Sequence, residues 1–174
     1  MKKLELEKLS NQYYVRKMED ADVQIIYDFC KGNTQYYQYC GKDISVEVIE
    51  NDIHITPPGI PSAQKYYVGF FDGETLVAIL DLIDGYPKED DAFIGFFMMN
   101  SSMQGKNVGT KIMDGVLNYL QSMGCTMCQL GIDKDNPQSN HFWKKNGFQI
   151  VREVEQEEGT ILVAEKKIGP VGGK

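Results

Sequence analysis

The feature that most constrains the fold of this chain is a glycine-containing turn between an apolar, strand-like segment and an amphipathic helical pattern. The apolar segment covers residues 92–99, the turn covers residues 104–110, and the helical pattern extends to about Met123. The first backbone N–H groups of a helix lack partners within the helix, and the helix dipole places about half a positive charge beside them. The turn therefore predicts an anion site, and a pyrophosphate group is its natural ligand.

Hydrophobic periodicity divides the rest of the chain into strands and helices. Gly124 and Gly147 mark helix ends, and Asp72-Gly73 marks a hairpin. The strand, helix and strand between residues 93 and 132 must form a right-handed parallel crossover. We predict a single α/β domain over residues 1–168, with a mixed, mostly antiparallel sheet and flanking helices, followed by a disordered tail over residues 169–174. The predicted strands cover residues 13–18, 65–71, 75–83, 91–99, 127–132, 148–154 and 160–166, and the predicted helices end near residues 32, 52, 123 and 146.

Charge and composition limit the classes of partner. The net charge of −7 argues against sequence-independent nucleic-acid binding, which requires a basic surface. No segment approaches the roughly 20 apolar residues of a membrane span, and the charged N-terminus lacks a signal-peptide core, so we expect no membrane partner and a cytoplasmic location.

Cys125 and Cys128 have the spacing of half a zinc site. Because His54 and His141 provide no second ligand pair, we expect no metal site and interpret these thiols as structural.

Two common nucleotide codes do not describe the glycine turn. A nucleotide P-loop requires four residues between its glycines and a Lys-Ser/Thr pair after the second, whereas Gly105 and Gly109 have three residues between them and Thr110-Lys111 follows. The dinucleotide fingerprint requires three glycines, and this turn has two.

A third code fits. Residues 104–109, Gln-Gly-Lys-Asn-Val-Gly, resemble the acyl-CoA signature of the GCN5-related N-acetyltransferase family, with Asn107 in place of the middle glycine. Asn adopts left-handed backbone conformations better than most other residues, so the exchange is tolerable. Residues 136–148 resemble a later helix of the same family, with Asn136, Ser139, Phe142, Lys145, Gly147 and Phe148 in the matching positions. The order of strands and helices over residues 13–166 also agrees with that family.

The resemblance implies a fold and a cofactor. The parallel strands 93–99 and 127–132 are expected to splay apart and form a wedge for the pantetheine arm of acetyl-CoA, with the backbone of Phe97 and Met99 pairing with its amides. Backbone N–H groups from Gln104 to Thr110 are expected to hold the pyrophosphate, with Asn136 beside the arm and Phe142 packed nearby. The implied cofactor-binding residues are Phe97, Met98, Met99, Gln104, Gly105, Lys106, Asn107, Val108, Gly109, Thr110, Asn136, Ser139, Phe142, Trp143 and Lys145.

The chemistry of amide formation assigns further candidate residues. The resemblance makes the N–H of Met99 the donor to the developing oxyanion. Many members of the family place a Tyr general acid where this chain has Trp143, and an indole N–H cannot give up its proton at a useful pH. Thiols with a pKa near 8.5 can leave unassisted, so catalysis can survive this exchange, or the domain binds acyl-CoA and reacts poorly. Trp143 also fits core packing.

The sequence gives fewer candidate residues for the site that binds and deprotonates the acceptor amine. Asp81 interrupts the apolar strand 75–83; we take it as the candidate general base whose pKa burial raises, or alternatively as a residue on a solvent face. Tyr36, Tyr37 and Tyr39 either line a substrate pocket or pack on the sheet.

The predicted function is N-acetyl transfer from acetyl-CoA to a primary amine by direct attack, and the alternative is a non-catalytic acyl-CoA-binding or sensing module. The acceptor, a small molecule or a peptide amine, is not specified by the sequence. Homodimers are common in the resembled family, so a homodimer is also an expectation.

Overall fold

The alternating segments of the sequence form one seven-stranded sheet in a computed structural model that describes residues 3–33, 36 and 43–169. The strand order is β1-β2-β3-β4-β5-β7-β6, and every neighbouring pair is antiparallel except β4 and β5. The fold is therefore the predicted mixed, mostly antiparallel α/β domain. The strands are β1 (Tyr14–Lys17), β2 (Lys65–Asp72), β3 (Thr75–Asp84), β4 (Asp91–Met99), β5 (Met127–Asp133), β6 (Gln149–Gln156) and β7 (Gly159–Lys167).

The α-helices of the described residues cover both faces of this sheet. They are α1 (Val23–Lys31), α2 (Val46–His54), α3 (Val108–Ser122) and α4 (Pro137–Lys145). The apolar stripe of α3 is buried on one face together with Trp143 of α4, and the buried residues of α1 and α2 pack on the other face. Each buried Leu, Ile or Val side chain contributes about 1.5–3 kcal/mol relative to an exposed one, so the two layers fix the sheet between them.

The central strands β4 and β5 separate along their length. Their parallel pairing begins at Asp91 with Met127 and reaches Ile94 with Leu130, although both strands continue beyond these residues. The predicted splay is therefore present. Beyond Ile94 the edge of β4 that faces β5 is open, and this opening is where both cavities described below begin.

Local signals in the sequence explain the helix starts that border this opening. Asn136 caps α4, where its side chain accepts a hydrogen bond from Ser139 N–H at 3.1 Å and Pro137 occupies the first turn. The residue before α3 is Asn107, which has a left-handed conformation with φ 62°. Asn107 therefore has the left-handed conformation that made Asn an acceptable replacement for glycine at this position.

The cysteines near β5 are buried, which agrees with a structural role for both. Cys125 is 7% exposed and Cys128 is fully buried, and burial raises the pKa of the Cys125 thiol to about 11. Burial likewise raises the pKa of Cys128.

None of the helices in the described ranges combines the length and the apolar character needed to cross a lipid bilayer.

Candidate active site

A cavity of about 600 Å³ lies between the end of β4, the start of α3 and helix α4. This volume falls within the range of about 300–1,000 Å³ that small-molecule and cofactor sites occupy. Most of the residues that the sequence singled out for cofactor binding line it. These are Phe97, Met98, Met99, Gln104, Gly105, Asn107, Val108, Gly109, Thr110, Ser139, Phe142, Trp143 and Lys145, together with Tyr36.

The start of α3 supplies unpaired hydrogen-bond donors to this cavity. The side chain of Asn107 does not cap the helix, and the first helical bond runs from Lys111 N–H to Asn107 O at 3.1 Å. No described residue accepts a hydrogen bond from the N–H groups of Val108, Gly109 and Thr110. Three free donors at the positive end of a helix of 15 residues favour an anion, and an oxygen-rich group such as a pyrophosphate fits best.

The side chain of Asn107 accepts a hydrogen bond from helix α4 and does not cap α3. Lys145 Nζ donates a hydrogen bond to Asn107 Oδ1 at 2.6 Å, and both residues line the cavity. This contact joins the glycine turn to α4 and places a positive charge beside the free N–H groups. It also explains why Asn suits the position, since glycine has no acceptor to offer Lys145.

Gly109 allows the helix start to approach its neighbours closely. A Cβ atom added there would lie 3.2 Å from Met99 Cγ and 3.2 Å from Phe142 Cε1. The glycine therefore sets the width of the cavity between α3, β4 and α4, and any larger side chain would narrow it.

The open edge of β4 presents backbone groups at the same cavity. Asn100 N–H donates to Val77 O at 2.8 Å, and hydrogen-bonded and non-bonded pairs alternate along an antiparallel ladder. Phe97 and Met99 pair with Leu80 and Ala78 in this register, so their N–H and C=O groups point away from β3 toward the opening. The backbone of Met98 points to β3 instead, and its side chain packs with α1 and α2.

A chain of side-chain amides crosses one wall of the cavity, and no pattern in the sequence indicates it. Asn33 Nδ2 donates to Met99 O at 3.3 Å, and Asn33 Oδ1 accepts a hydrogen bond from Gln104 Nε2. Gln138 Nε2 then donates to Gln104 Oε1 at 3.1 Å. The chain links the end of α1, the glycine turn and α4, and it occupies the C=O of Met99 while leaving its N–H unused.

The sequence analysis did not assign some residues that line the large cavity, and two residues that it assigned to cofactor binding do not line it. Gly32, Ser101, Met103 and His141 line the cavity without having been assigned to it. Lys106 and Asn136 were predicted to bind cofactor and are not among its lining residues. Asn136 is 1% exposed and caps α4, so its contact with the cofactor stays a prediction. Tyr37 and Tyr39 lie outside the described residues.

Aromatic side chains form the inner end of the cavity. Trp143 is 7% exposed, and its ring centroid lies 4.8 Å from that of Phe142, 5.1 Å from that of Phe148 and 6.0 Å from that of Phe97. Phe97 and Phe142 stack at 5.9 Å. Trp143 thus combines core packing with a place on the cavity wall, where the indole offers no transferable proton at a useful pH.

A second, smaller cavity of about 40 Å³ lies in the wedge between β4 and β5. We call it the wedge cavity. It shares Tyr36, Phe97, Ser139 and Trp143 with the large cavity, so the two meet at the aromatic end. Its remaining lining residues are Ile94, Gly95, Phe96, Leu130, Gly131, Ile132 and Asp133.

Asp81 lies beside the wedge cavity without lining it. The residue is 9% exposed, so the solvent-facing alternative is wrong, and Lys65 Nζ donates to its Oδ2 at 2.9 Å. Its Oδ1 has no hydrogen-bond partner among the described residues. Burial raises the pKa of Asp81 to about 6 against the opposing attraction of Lys65, which agrees with the predicted direction.

A mixed sheet whose two parallel strands part beside the free N-terminus of a helix defines the acyl-CoA N-acyltransferase fold. The chain belongs to the acetyltransferase (GNAT) family, whose family model matches residues 26–148. The protein is therefore a GNAT-family acetyltransferase. No curated protein sequence matches the chain.

Solved structures share this fold at low sequence identity. An acetyltransferase from Thermus thermophilus is 19% identical with a TM-score of 0.71, covering 90% of this chain and 97% of that one. A spermidine N-acetyltransferase from Vibrio cholerae, in complex with CoA and spermine, is 16% identical with a TM-score of 0.67, covering 91% and 97%. The PaiA N-acetyltransferase from Thermoplasma acidophilum, in complex with coenzyme A, is 18% identical with a TM-score of 0.63, covering 88% and 98%.

Proposed function

We propose that this protein uses acetyl-CoA to acetylate a primary amine by direct attack, without a covalent enzyme intermediate. The observation that carries the proposal is that the large cavity joins two kinds of unused backbone group. The free N–H groups at the start of α3 lie at one part of the cavity and the open edge of β4 at another.

The residues of the large cavity fit coenzyme A. The N–H groups of Val108, Gly109 and Thr110 would hold the pyrophosphate, with Lys145 adding a positive charge beside it. The backbone of Phe97 would pair with a pantetheine amide, and the N–H of Met99 would lie beside the thioester carbonyl, since both face the opening. When bound, acetyl-CoA supplies the acetyl group as a reactive thioester. The chain's own contribution is to direct the N–H of Met99 toward the developing oxyanion and to accept the proton that the amine loses.

Direct attack agrees with the state of the thiols. Cys30, Cys125 and Cys128 are buried and line neither cavity, so none of these three is placed as a nucleophile. An alkylamine has a pKa of about 10.4 and must lose a proton before it attacks. Asp81 is our candidate for accepting that proton, because its pKa of about 6 leaves it ionised at neutral pH.

The departing thiol has no tyrosine at position 143 to protonate it. A thiol pKa near 8.5 allows departure as a thiolate, and the oriented N–H groups of the site favour the anion. The same observation supports the second candidate function, an acyl-CoA-binding or sensing module with little turnover.

Two measurements on the same protein separate these functions. Binding of CoA is measured by calorimetry, and release of free thiol from acetyl-CoA is followed with a panel of primary amines that includes spermidine, alkylamines and short peptides. We expect micromolar or tighter CoA binding and amine-dependent thiol release above the hydrolysis background. Tight CoA binding without release for any amine would support the sensing module and reject the enzyme.

Trp143→Tyr tests the role of the missing acid. If the thiolate leaves unassisted, the variant changes kcat by less than about threefold, since general acid catalysis is typically worth 10²–10⁴-fold where it operates. A rise of that larger size would show that turnover in the natural protein is limited by thiol departure. Trp143→Phe is the matched control, because it removes the indole without adding a hydroxyl.

A further inference from the structure

The connection between β4 and α3 carries the glycine turn and is largely exposed to solvent. Residues 100–107 contain one short 3₁₀ helix, Ser101–Met103, and most of their side chains are exposed. Exposed connections are generally more mobile than the elements that they join. The backbone groups proposed to hold CoA nevertheless lie on both sides of this connection, at the end of β4 and at the start of α3. A cofactor that contacts both therefore needs the connection to keep one conformation.

Asn33 ties this connection to the rest of the fold. It follows α1, lines the large cavity and is 6% exposed. Its side-chain Nδ2 uses both hydrogens, since it donates to Phe29 O and to Met99 O, each at 3.3 Å. Its Oδ1 accepts a hydrogen bond from Gln104 Nε2. One buried side chain therefore joins the end of α1, the end of β4 and the glycine turn.

Two backbone carbonyls set the polarity of the amide chain. A carbonyl oxygen can only accept a hydrogen bond, so the carbonyls beside Asn33 require its Nδ2 to face them and its Oδ1 to face Gln104. Gln104 must then present Nε2 to Asn33 and Oε1 to Gln138, whose Nε2 donates at 3.1 Å. Hydrogen bonds linked in this way strengthen one another, and a satisfied network specifies a single arrangement. The amide chain thus gives the glycine turn one preferred position against β4.

The contact from Asn33 also distinguishes the two backbone groups of Met99. Both the N–H and the C=O of Met99 point toward the opening, but Asn33 donates to the C=O. The N–H of Asn100, in the same peptide group as this C=O, donates to Val77 O at 2.8 Å, so the peptide group is held at both ends. A ligand therefore meets Met99 mainly as a hydrogen-bond donor, which suits a thioester carbonyl.

We propose that Asn33 is a positioning residue of the cofactor site, which fixes the distance between the free N–H groups at the start of α3 and the backbone groups of β4 that face the opening. It acts through Gln104 and the C=O of Met99. This inference rests on the proposed use of CoA and assigns a role to a residue outside the glycine turn. A fixed spacing matters most for a ligand that bridges both groups, because a preorganised site loses less conformational freedom when that ligand binds.

A whole and a partial ligand test the proposal. CoA bridges both sets of backbone groups, whereas adenosine 5′-diphosphate carries the pyrophosphate without the pantetheine arm. Asn33→Leu keeps the approximate volume of the side chain and removes its hydrogen bonds. In calorimetry we expect this variant to raise the dissociation constant of CoA about tenfold, the effect of one or two neutral hydrogen bonds, and that of adenosine 5′-diphosphate by less than about twofold. Equal changes for the two ligands, or no change for CoA, would overturn the inference.

Asn146→Leu is the matched control. Asn146 is also 6% exposed and follows a helix, and its Nδ2 donates to the carbonyl four residues earlier, Phe142 O, at 2.8 Å. Asn146 lines neither cavity. Its replacement therefore repeats the loss of a hydrogen bond at a helix end without loosening the connection, and we expect the dissociation constant of CoA to stay within about twofold. A tenfold rise in this control would show that Asn33→Leu acts through the helix end, and would overturn the proposal.

Gln104→Met provides a second test in case Asn33→Leu does not fold. It keeps the length of the side chain and removes the amide that donates to Asn33. We expect the same selective loss for CoA, and the double variant should lose less than the product of the two single effects, because the two residues share one hydrogen bond. Effects that multiply would contradict the inference and leave the proposed function intact. Absence of CoA binding to the natural protein would instead reject the proposed function, and the inference with it.

Discussion

The buried pair of Asp81 and Lys65 makes a quantitative prediction about stability and pH. The pKa of Asp81 is about 6 in the folded protein against an ordinary value of 3.8, because burial outweighs the attraction of Lys65. The folded state therefore binds a proton more tightly than the unfolded state. The stabilisation due to Asp81 is complete below pH 3.8 and is lost as the pH rises through 6. The difference between the two pKa values corresponds to about 3 kcal/mol.

The prediction is tested by comparing the natural protein with the double variant Lys65→Met, Asp81→Asn. This variant removes both charges and therefore leaves no unpaired lysine in the sheet. Relative to this variant, the natural protein should lose about 2.4 kcal/mol of unfolding free energy between pH 4 and pH 7, which is most of the full difference. Titration of every other group is common to both proteins and cancels. Urea unfolding followed by the fluorescence of Trp143, the one tryptophan of the chain, measures the difference at each pH.

Asp22 supplies a control of opposite sign. Its hydrogen bonds with Arg16, at 2.9 Å to each carboxylate oxygen, hold the pKa of Asp22 below its ordinary value. The stabilisation due to Asp22 is therefore lost as the pH falls, and the natural protein should gain stability relative to Asp22→Asn as the pH rises from 3 to 5. A constant difference between the natural protein and the Lys65, Asp81 variant would refute the argument for Asp81. A difference that rises with pH would show that Lys65 outweighs burial.

Three further predictions follow from the geometry of the cavity and the cysteines. Asn107→Ala should lose about 1 kcal/mol in urea unfolding because alanine is strained at φ 62°, whereas Asn107→Gly should not show this strain; equal losses would contradict the role of the left-handed conformation. Gly109→Val should raise the dissociation constant of CoA in calorimetry, since even a Cβ lies 3.2 Å from Met99 and Phe142, and unchanged affinity would argue against CoA at this position. Cys125 and Cys128 should resist iodoacetamide in the native protein at pH 7.5 and react after unfolding, as checked by peptide mass spectrometry; rapid native modification would contradict their burial.

Features that depend on neighbouring residues in the sequence could be predicted. The helix starts at Asn107 and Asn136 depend on the conformational preference of one residue and on a cap formed within the first turn. The apolar stripe of α3 depends on a period of 3.6 residues, which the sequence displays directly. The splay of β4 and β5 came from the resemblance to a family, and the structure agrees with it.

The amide chain across the cavity has no such local signal. Asn33 and Gln104 are 71 residues apart, and Gln138 lies 34 residues beyond Gln104. In the sequence Asn33 has the appearance of a helix terminator, because it follows glycine after an amphipathic pattern. The hydrogen bond from Asn33 Nδ2 to Met99 O forms because α1 packs on the sheet. It can therefore be identified only from the tertiary structure, not from the sequence around Asn33.

The surroundings of Asp81 depend on strand register, which the sequence specifies incompletely. The turn at Asp72 and Gly73 sets Asp72 opposite Thr75, and an unbroken ladder from this pair would place Asp81 opposite Tyr66. A bulge between Phe70 and Phe71 moves the register by one residue, so that Asp81 lies opposite Tyr67 instead.

This single-residue change decides which face of the sheet Asp81 shares with its neighbours. Opposite residues of an antiparallel pair lie on the same face, and a shift of one residue exchanges the two faces. Lys65 lies two residues from Tyr67 and so on the same face as Asp81, where Nζ reaches Oδ2 at 2.9 Å. The second bulge, at Gly95, packs the backbone of β4 against the same carboxylate, since a Cβ added to Gly95 would lie 2.8 Å from Asp81 Oδ2. The position of the candidate base therefore depends on two bulges that flank it, and an argument from alternation along β3 alone could not choose between burial and exposure.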